Sequence, residues 1–117
     1  MKIKKPSEMK IAFIGTYPPR QCGIGTFTNN LVKAIVQNTP SKKITNHATV
    51  IAINEDDAKY EYPEEVKFII RQNHQPDYIN AAKFINYSDA EVCVLQHEFG
   101  IFGGDDGVFI LPMLHRL

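Results

Sequence analysis

The chain has 117 residues, of which 44% are hydrophobic and 22% charged, a profile that fits one globular domain. Thirteen Lys and Arg balance thirteen Asp and Glu, so no global field draws the chain to a polyanion and nucleic-acid binding by bulk charge is disfavoured. No apolar run approaches the roughly 20 residues of a membrane-spanning helix, and the start MKIKKPSE lacks the apolar region of a secretion signal.

The expected compartment is therefore the cytoplasm. Cys22 and Cys93 form neither a metal-type pair nor a disulfide framework, and read as ordinary thiols. Residues 1–8 are polar and basic and read as a solvated tail. Residues 9–15, MKIAFIG, are a short apolar run ended by glycine, the mark of a strand buried on both faces. The following TYPPRQCGIG carries two prolines and two glycines, which predicts a loop with no helix before Gly25.

From Thr26 the period changes. Phe27, Leu31, Ala34 and Ile35 recur at helical spacing, predicting a helix to about Asn38 with those four on its inner face. Residues 47–53 form a second strand-like run rich in β-branched residues, and residues 66–71 a third. Between them Glu61, Glu64 and Glu65 read as an acidic, solvated turn. Pro76 opens a second helix with Tyr78, Ala81, Ala82 and Ile85 on one face. Residues 91–95 make a fourth strand, residues 96–104 a glycine-rich loop, and residues 108–117 an apolar helix that must start near Pro112 or kink there.

The order β-α-β-β-α-β-α predicts an α/β fold, a Rossmann-like, largely parallel sheet with flanking helices. Doubly wound domains add further strands, so the sheet is expected to be incomplete.

Ligands of such sheets bind beyond the carboxyl ends of the strands, which singles out three loops. In the first, Gly23 and Gly25 either turn the chain into the helix or open its backbone to a phosphate at the helix N-terminus. A dinucleotide fingerprint is excluded because Thr28 stands where its third glycine would be, and no GxxxxGK[ST] loop occurs. The second loop sets His97 and Glu98 before Phe99, Gly100 and Phe102, with the imidazole able to hold a sugar hydroxyl and the aromatics able simply to pack. Ile101 rules out an HExxH zinc site, and no metal or cofactor is expected. The third loop offers Arg71, Gln72, Asn73 and His74, suited to a polar substrate or to solvent.

The segments TYPPRQCGIGTFTNNL, YEYPEEVKFIIRQNHQPDYINAAKFIN and VLQHEFGIFGGDDG together resemble the N-terminal domain of bacterial glycosyltransferases of the group 1, or family 4, type with the two-domain GT-B fold. The resemblance runs over about residues 9–111. It implies a retaining, metal-independent transferase that moves a sugar from a nucleotide-sugar donor to a carbohydrate or other polar acceptor. By the same resemblance Gly23, Ile24, Gly25 and Thr26 would lie at the donor diphosphate and His97 beside the transferred sugar. Arg20, Glu98, Phe99, Gly100, Arg71, Gln72 and Asn73 would line the sugar and acceptor side.

Residues 9–117 would then be part of the acceptor-side domain, without the C-terminal donor domain and its E-x7-E glutamates. A missing C-terminal half is thus an expected partner, and little activity is expected of this chain alone. The alternative is a non-catalytic nucleotide- or phosphate-binding or interaction module.

Overall fold

A computed structural model describes residues 10–21, 23–37, 44, 47–96 and 100–117. Four strands, β1 (Ile11–Gly15), β2 (Ala48–Asn54), β3 (Val66–Arg71) and β4 (Val92–Leu95), form one sheet in the order β3-β2-β1-β4. Every pair is parallel, with Phe13 level with Val50 on one side and Val94 on the other. The predicted α/β architecture is therefore observed. Among the described residues three α-helices accompany the sheet: α1 (Gly23–Gln37), α2 (Gln75–Tyr87) and α3 (Ile110–Arg116).

Alternation along the central strands sorts their side chains into two cores. Ala12 and Ile14 of β1, with Ile51 and Ile53 of β2, join Tyr78, Ala81, Ala82 and Ile85 of α2 and Ile110 and Met113 of α3. Phe13, Val50 and Ala52 point the other way, to Tyr17 and Val32 of the α1 side. The sheet is thus covered on both faces, which is why β1 and β2 read as continuous apolar runs rather than alternating ones.

The α2 periodicity is observed as predicted, since Tyr78, Ala81, Ala82 and Ile85 are all buried. Pro76 sits in its first turn, where its missing N–H costs nothing. Pro112 is likewise the third residue of α3, so it lies in a first turn and produces no interior break. That helix starts at Ile110 rather than Val108, after a short 3₁₀ turn at Asp105–Gly107.

Three expectations are corrected. First, α1 begins at Gly23, so the glycine segment is the first turn of the helix rather than a loop ahead of it. Second, its inner face is not the predicted one. Gly25, Thr28, Val32 and Val36 are buried, whereas Phe27 is 56% exposed, Ala34 is exposed and Leu31 and Ile35 are only half-buried. Small residues win the inner face because the helix runs close to β1. A Cβ on Gly25 would lie 3.3 Å from Tyr17 N, leaving no room for a phenyl ring on that side. Third, Glu65 is no solvated turn residue. It is 6% exposed, its carboxylate accepts the Tyr17 hydroxyl at 2.7 Å, and its carbonyl accepts the Val50 N–H at 2.9 Å. Glu61 and Glu64 are exposed as expected.

Candidate functional site

In this strand order the chain reverses direction across the sheet between β1 and β4, and ligands of open parallel sheets bind at such a point. The loop after β1 leads to α1 on one face, while the loop after β4 leads to α3 on the other. Gly15 keeps the two strand ends together, since a Cβ there would sit 3.1 Å from Gln96 Cβ.

The α1 N-terminus opens toward this point. Its first-turn residues Gly23, Ile24, Gly25 and Thr26 carry N–H groups with no acceptor inside the helix, so they form a ready donor set for an anion. Gly25 packs on the turn of β1, with its ideal Cβ position 3.4 Å from the carbonyl carbon and from the hydroxyl of Thr16. That Thr16 hydroxyl is fully buried and is the only buried side-chain polar atom without a hydrogen-bond partner among the described residues. An orphaned hydroxyl costs about 1–3 kcal/mol, so it marks the turn of β1 as polar beyond what packing requires.

A tyrosine fixes this turn. The Tyr17 hydroxyl, besides donating to Glu65, accepts from Asn29 Nδ2 of α1 at 2.9 Å. Burial, and then the bond to the Glu65 carboxylate, push its pKa well above the ordinary phenol value. The turn, the helix and the residue ahead of β3 are thereby joined through one side chain. Nothing in the sequence pattern marks Glu65 as the partner, because its neighbours Pro63 and Glu64 are exposed.

Arg20 lies at the end of β2 rather than over the glycine turn. Its side chain is 11% exposed, Nη1 donates to Ile53 O at 2.8 Å, and Nε lies 3.1 Å from Glu55 Oε1. Its Nη2 reaches Gln72 Oε1 at 3.5 Å, and Gln72 Nε2 in turn donates to Gly100 O at 2.9 Å. Four of the strand-end segments are therefore strung on one polar chain running Glu55, Arg20, Gln72, Gly100. Beside it the Asn54 side chain accepts from the Tyr62 hydroxyl and donates to Ala58 O at 2.9 Å, and burial pushes Tyr62 up to about 12.

Arg71 is committed elsewhere. It holds Asp77 of α2 in a two-pronged pair, Nε to Oδ2 at 2.7 Å and Nη2 to Oδ1 at 2.9 Å, and its own N–H donates to Oδ2 at 2.9 Å. Those hydrogen bonds hold the Asp77 carboxyl below the usual carboxylate range. The Asn73 N–H donates to Asp56 Oδ1 at 2.8 Å, and its side chain is exposed. The structure thus brings Arg20, Gln72 and Gly100 together and leaves Arg71 on the α2 side. His97, Glu98, Phe99 and Cys22 lie outside the described residues.

The described part of the glycine-rich loop is anchored rather than open. Phe102 is buried in the α2 and α3 core, which favours packing over ligand stacking for that ring. Tyr78 donates to Gln72 O at 2.7 Å and accepts the Gly103 N–H at 3.0 Å. Sequence reading placed Tyr78 in the core but missed this polar role, which its spacing does not reveal.

Among the described residues no group of acidic, His or Cys side chains has the geometry of a metal site. No helix is long and apolar enough to cross a membrane among them either. A shallow cavity of about 480 Å³ lies off the strand ends, between Gln75 and the α3 residues Leu111, Pro112 and His115. Comparison with protein-family models, with curated proteins and with solved structures returns no match to this chain.

Proposed function

We propose that the chain is the acceptor-side portion of a GT-B glycosyltransferase and works in the cytoplasm on a nucleotide-sugar donor and a carbohydrate or other polar acceptor. The observation that supports this most is the α1 N-terminus beside the carboxyl ends of β1 and β4, with Gly25 against the turn of β1 and a buried, unpartnered Thr16 hydroxyl next to it. A departing nucleoside diphosphate gains negative charge as the bond to the sugar breaks. Preorganised N–H groups at Gly23, Ile24, Gly25 and Thr26, reinforced by the helix dipole, lower the free energy of that charge without needing a metal ion. In this reading His97 holds a hydroxyl of the transferred sugar, and Gln72 with Gly100 borders the acceptor.

A second reading is favoured by one observation. The guanidinium of Arg20 is turned to Ile53 and Glu55 and that of Arg71 to Asp77, so neither supplies a cation to the glycine turn. Among the described residues the glycine turn is then served by backbone N–H groups with the Thr16 hydroxyl beside them, an arrangement that suits a nucleotide- or phosphate-binding module without catalysis.

Titration of the ¹⁵N-labelled chain with nucleoside diphosphates and their sugar esters separates the two. The transferase reading expects dissociation constants of about 1 mM or weaker, with shifts centred on the Gly23, Gly25 and Thr26 amides. Binding tighter than about 10 μM by the chain alone favours the module. Absence of any shift at those amides removes both. With a donor domain joined to the chain, His97→Ala should lower kcat at least about tenfold; an unchanged rate takes His97 out of the reaction.

A further inference from the structure

Gln72, the first residue beyond β3, uses all four of its polar atoms, and they reach four different segments. Its N–H donates to Asn54 O at the end of β2 at 2.8 Å, and its carbonyl accepts the Tyr78 hydroxyl of α2 at 2.7 Å. In its side chain, Nε2 donates to Gly100 O in the loop after β4 at 2.9 Å, while Oε1 lies 3.5 Å from Arg20 Nη2 in the loop after β1.

The loop after β4 is attached to this residue twice, in two different ways. At Gly103 the attachment is backbone on backbone, with the Gly103 N–H on the same Tyr78 hydroxyl and no room for a Cβ, so it has no freedom to rotate. At Gly100, which is exposed, the attachment is a half-buried amide side chain that can change rotamer. Arg20 holds the other end of that amide by its weakest contact. Its bonds to Ile53 O and Glu55 are 2.8 and 3.1 Å, whereas 3.5 Å to Gln72 lies outside the usual range of about 2.7–3.2 Å, so this contact yields first when Arg20 is drawn elsewhere. Arg20 stands three residues ahead of Gly23, on the loop that feeds the first turn of α1.

We infer that Gln72 is a positioning residue that couples the loop after β1 to the loop after β4, so that an anion on the first turn of α1 is felt at Gly100. The anion offers the Arg20 guanidinium a new charged partner and therefore favours the arrangement in which Nη2 has left Gln72; that difference in affinity is what moves the equilibrium. With Oε1 released, the amide turns and its Nε2 bond to Gly100 O goes with it. This inference rests on the proposed anion site at α1 and adds the residue that relays its occupancy.

Titration of the ¹⁵N-labelled full chain with inorganic pyrophosphate to about 10 mM tests it. The Gly23, Gly25 and Thr26 amides report the first turn, and the Ile101 N–H, which shares a peptide group with the Gly100 carbonyl, reports the loop. Both sets are expected to shift along one saturation curve. Gln72→Met removes both side-chain hydrogen bonds at similar length, and should keep the first-turn shifts while the Ile101 shift is lost. Gln72→Glu retains an acceptor for Arg20 but offers no N–H to Gly100 O, and should lose the Ile101 shift as well. A urea midpoint near that of the parent shows that each variant folds. First-turn shifts without an Ile101 shift in the parent overturn the inference and leave the anion site standing. An Ile101 shift that persists in either variant also overturns it, since the loop is then reached by another route. No shift at the first turn removes the anion site, and the inference with it.

Discussion

Gly103 lies so close to Gln72 that a Cβ on it would stand 2.0 Å from the Gln72 carbonyl oxygen, well inside van der Waals contact. The atom met is backbone at the end of β3, which cannot rotate away. Gly103→Ala is therefore expected to cost about 3 kcal/mol or more, because the loop must leave its seat on β3. Urea denaturation checks this, and a variant within about 0.5 kcal/mol of the parent would show that the contact relaxes freely.

Tyr78→Phe probes the same junction chemically. It leaves ring packing intact but strips the Gly103 N–H of its acceptor and Gln72 O of its donor. A loss of about 1–3 kcal/mol is expected, since the Gly103 group is buried.

Thr16→Val should act in the opposite direction. The substitution keeps the shape and removes a buried hydroxyl that has no partner, so stability is expected to rise by about 1 kcal/mol. A fall of similar size would mean that the hydroxyl is satisfied in solution.

Tyr17→Phe leaves the Glu65 carboxylate and the Asn29 amide each without a partner. The expected cost is about 1–3 kcal/mol. Combined with Glu65→Ala the loss should fall short of the sum of the single losses, because both changes break one shared contact; strict additivity in a double-mutant cycle would contradict the coupling.

The Arg71 pair makes stability depend on pH in one direction. Asp77 titrates lower folded than unfolded, so its contribution is present above the ordinary Asp value near 3.9 and disappears as pH falls through the lower folded value. Arg71 is half exposed, which limits the contribution to less than about 1 kcal/mol. Asp77→Asn should consequently be less stable than the parent at pH 7, with the gap closing as pH falls below the ordinary Asp value and through the lowered folded one; a gap that widens in acid would reverse the assignment.

Much of the sheet was legible in the sequence because fully buried strands must be apolar on both sides. Residues 66–71 carry the strand predicted there, and β1, β2 and β4 fall within two residues of their expected bounds. The α1 face was not legible. Hydropathy ranks Phe27 and Leu31 as core, but a helix that runs close to β1 selects by size, and Gly25 and Thr28 fit where Phe27 does not. Glu65 was read by its charge, whereas its burial depends on Tyr17, far away in sequence. For the candidate site, the glycine turn was visible as a local motif. The redirection of Arg20 to Ile53 and of Arg71 to Asp77 was not, because the first depends on where β2 ends and the second on where the first turn of α2 falls.

The two cores are unequal among the described residues: thirteen buried side chains gather on the α2 and α3 face and six on the α1 face. Local opening takes the route that exposes least apolar surface, so α1 is the part of the molecule expected to lift first while the rest stays folded. Its amides should lose protection from hydrogen exchange before those of α2. Any anion that settles on its first turn would then register as slowed exchange along the whole helix, a signature that reports occupancy without requiring a turnover.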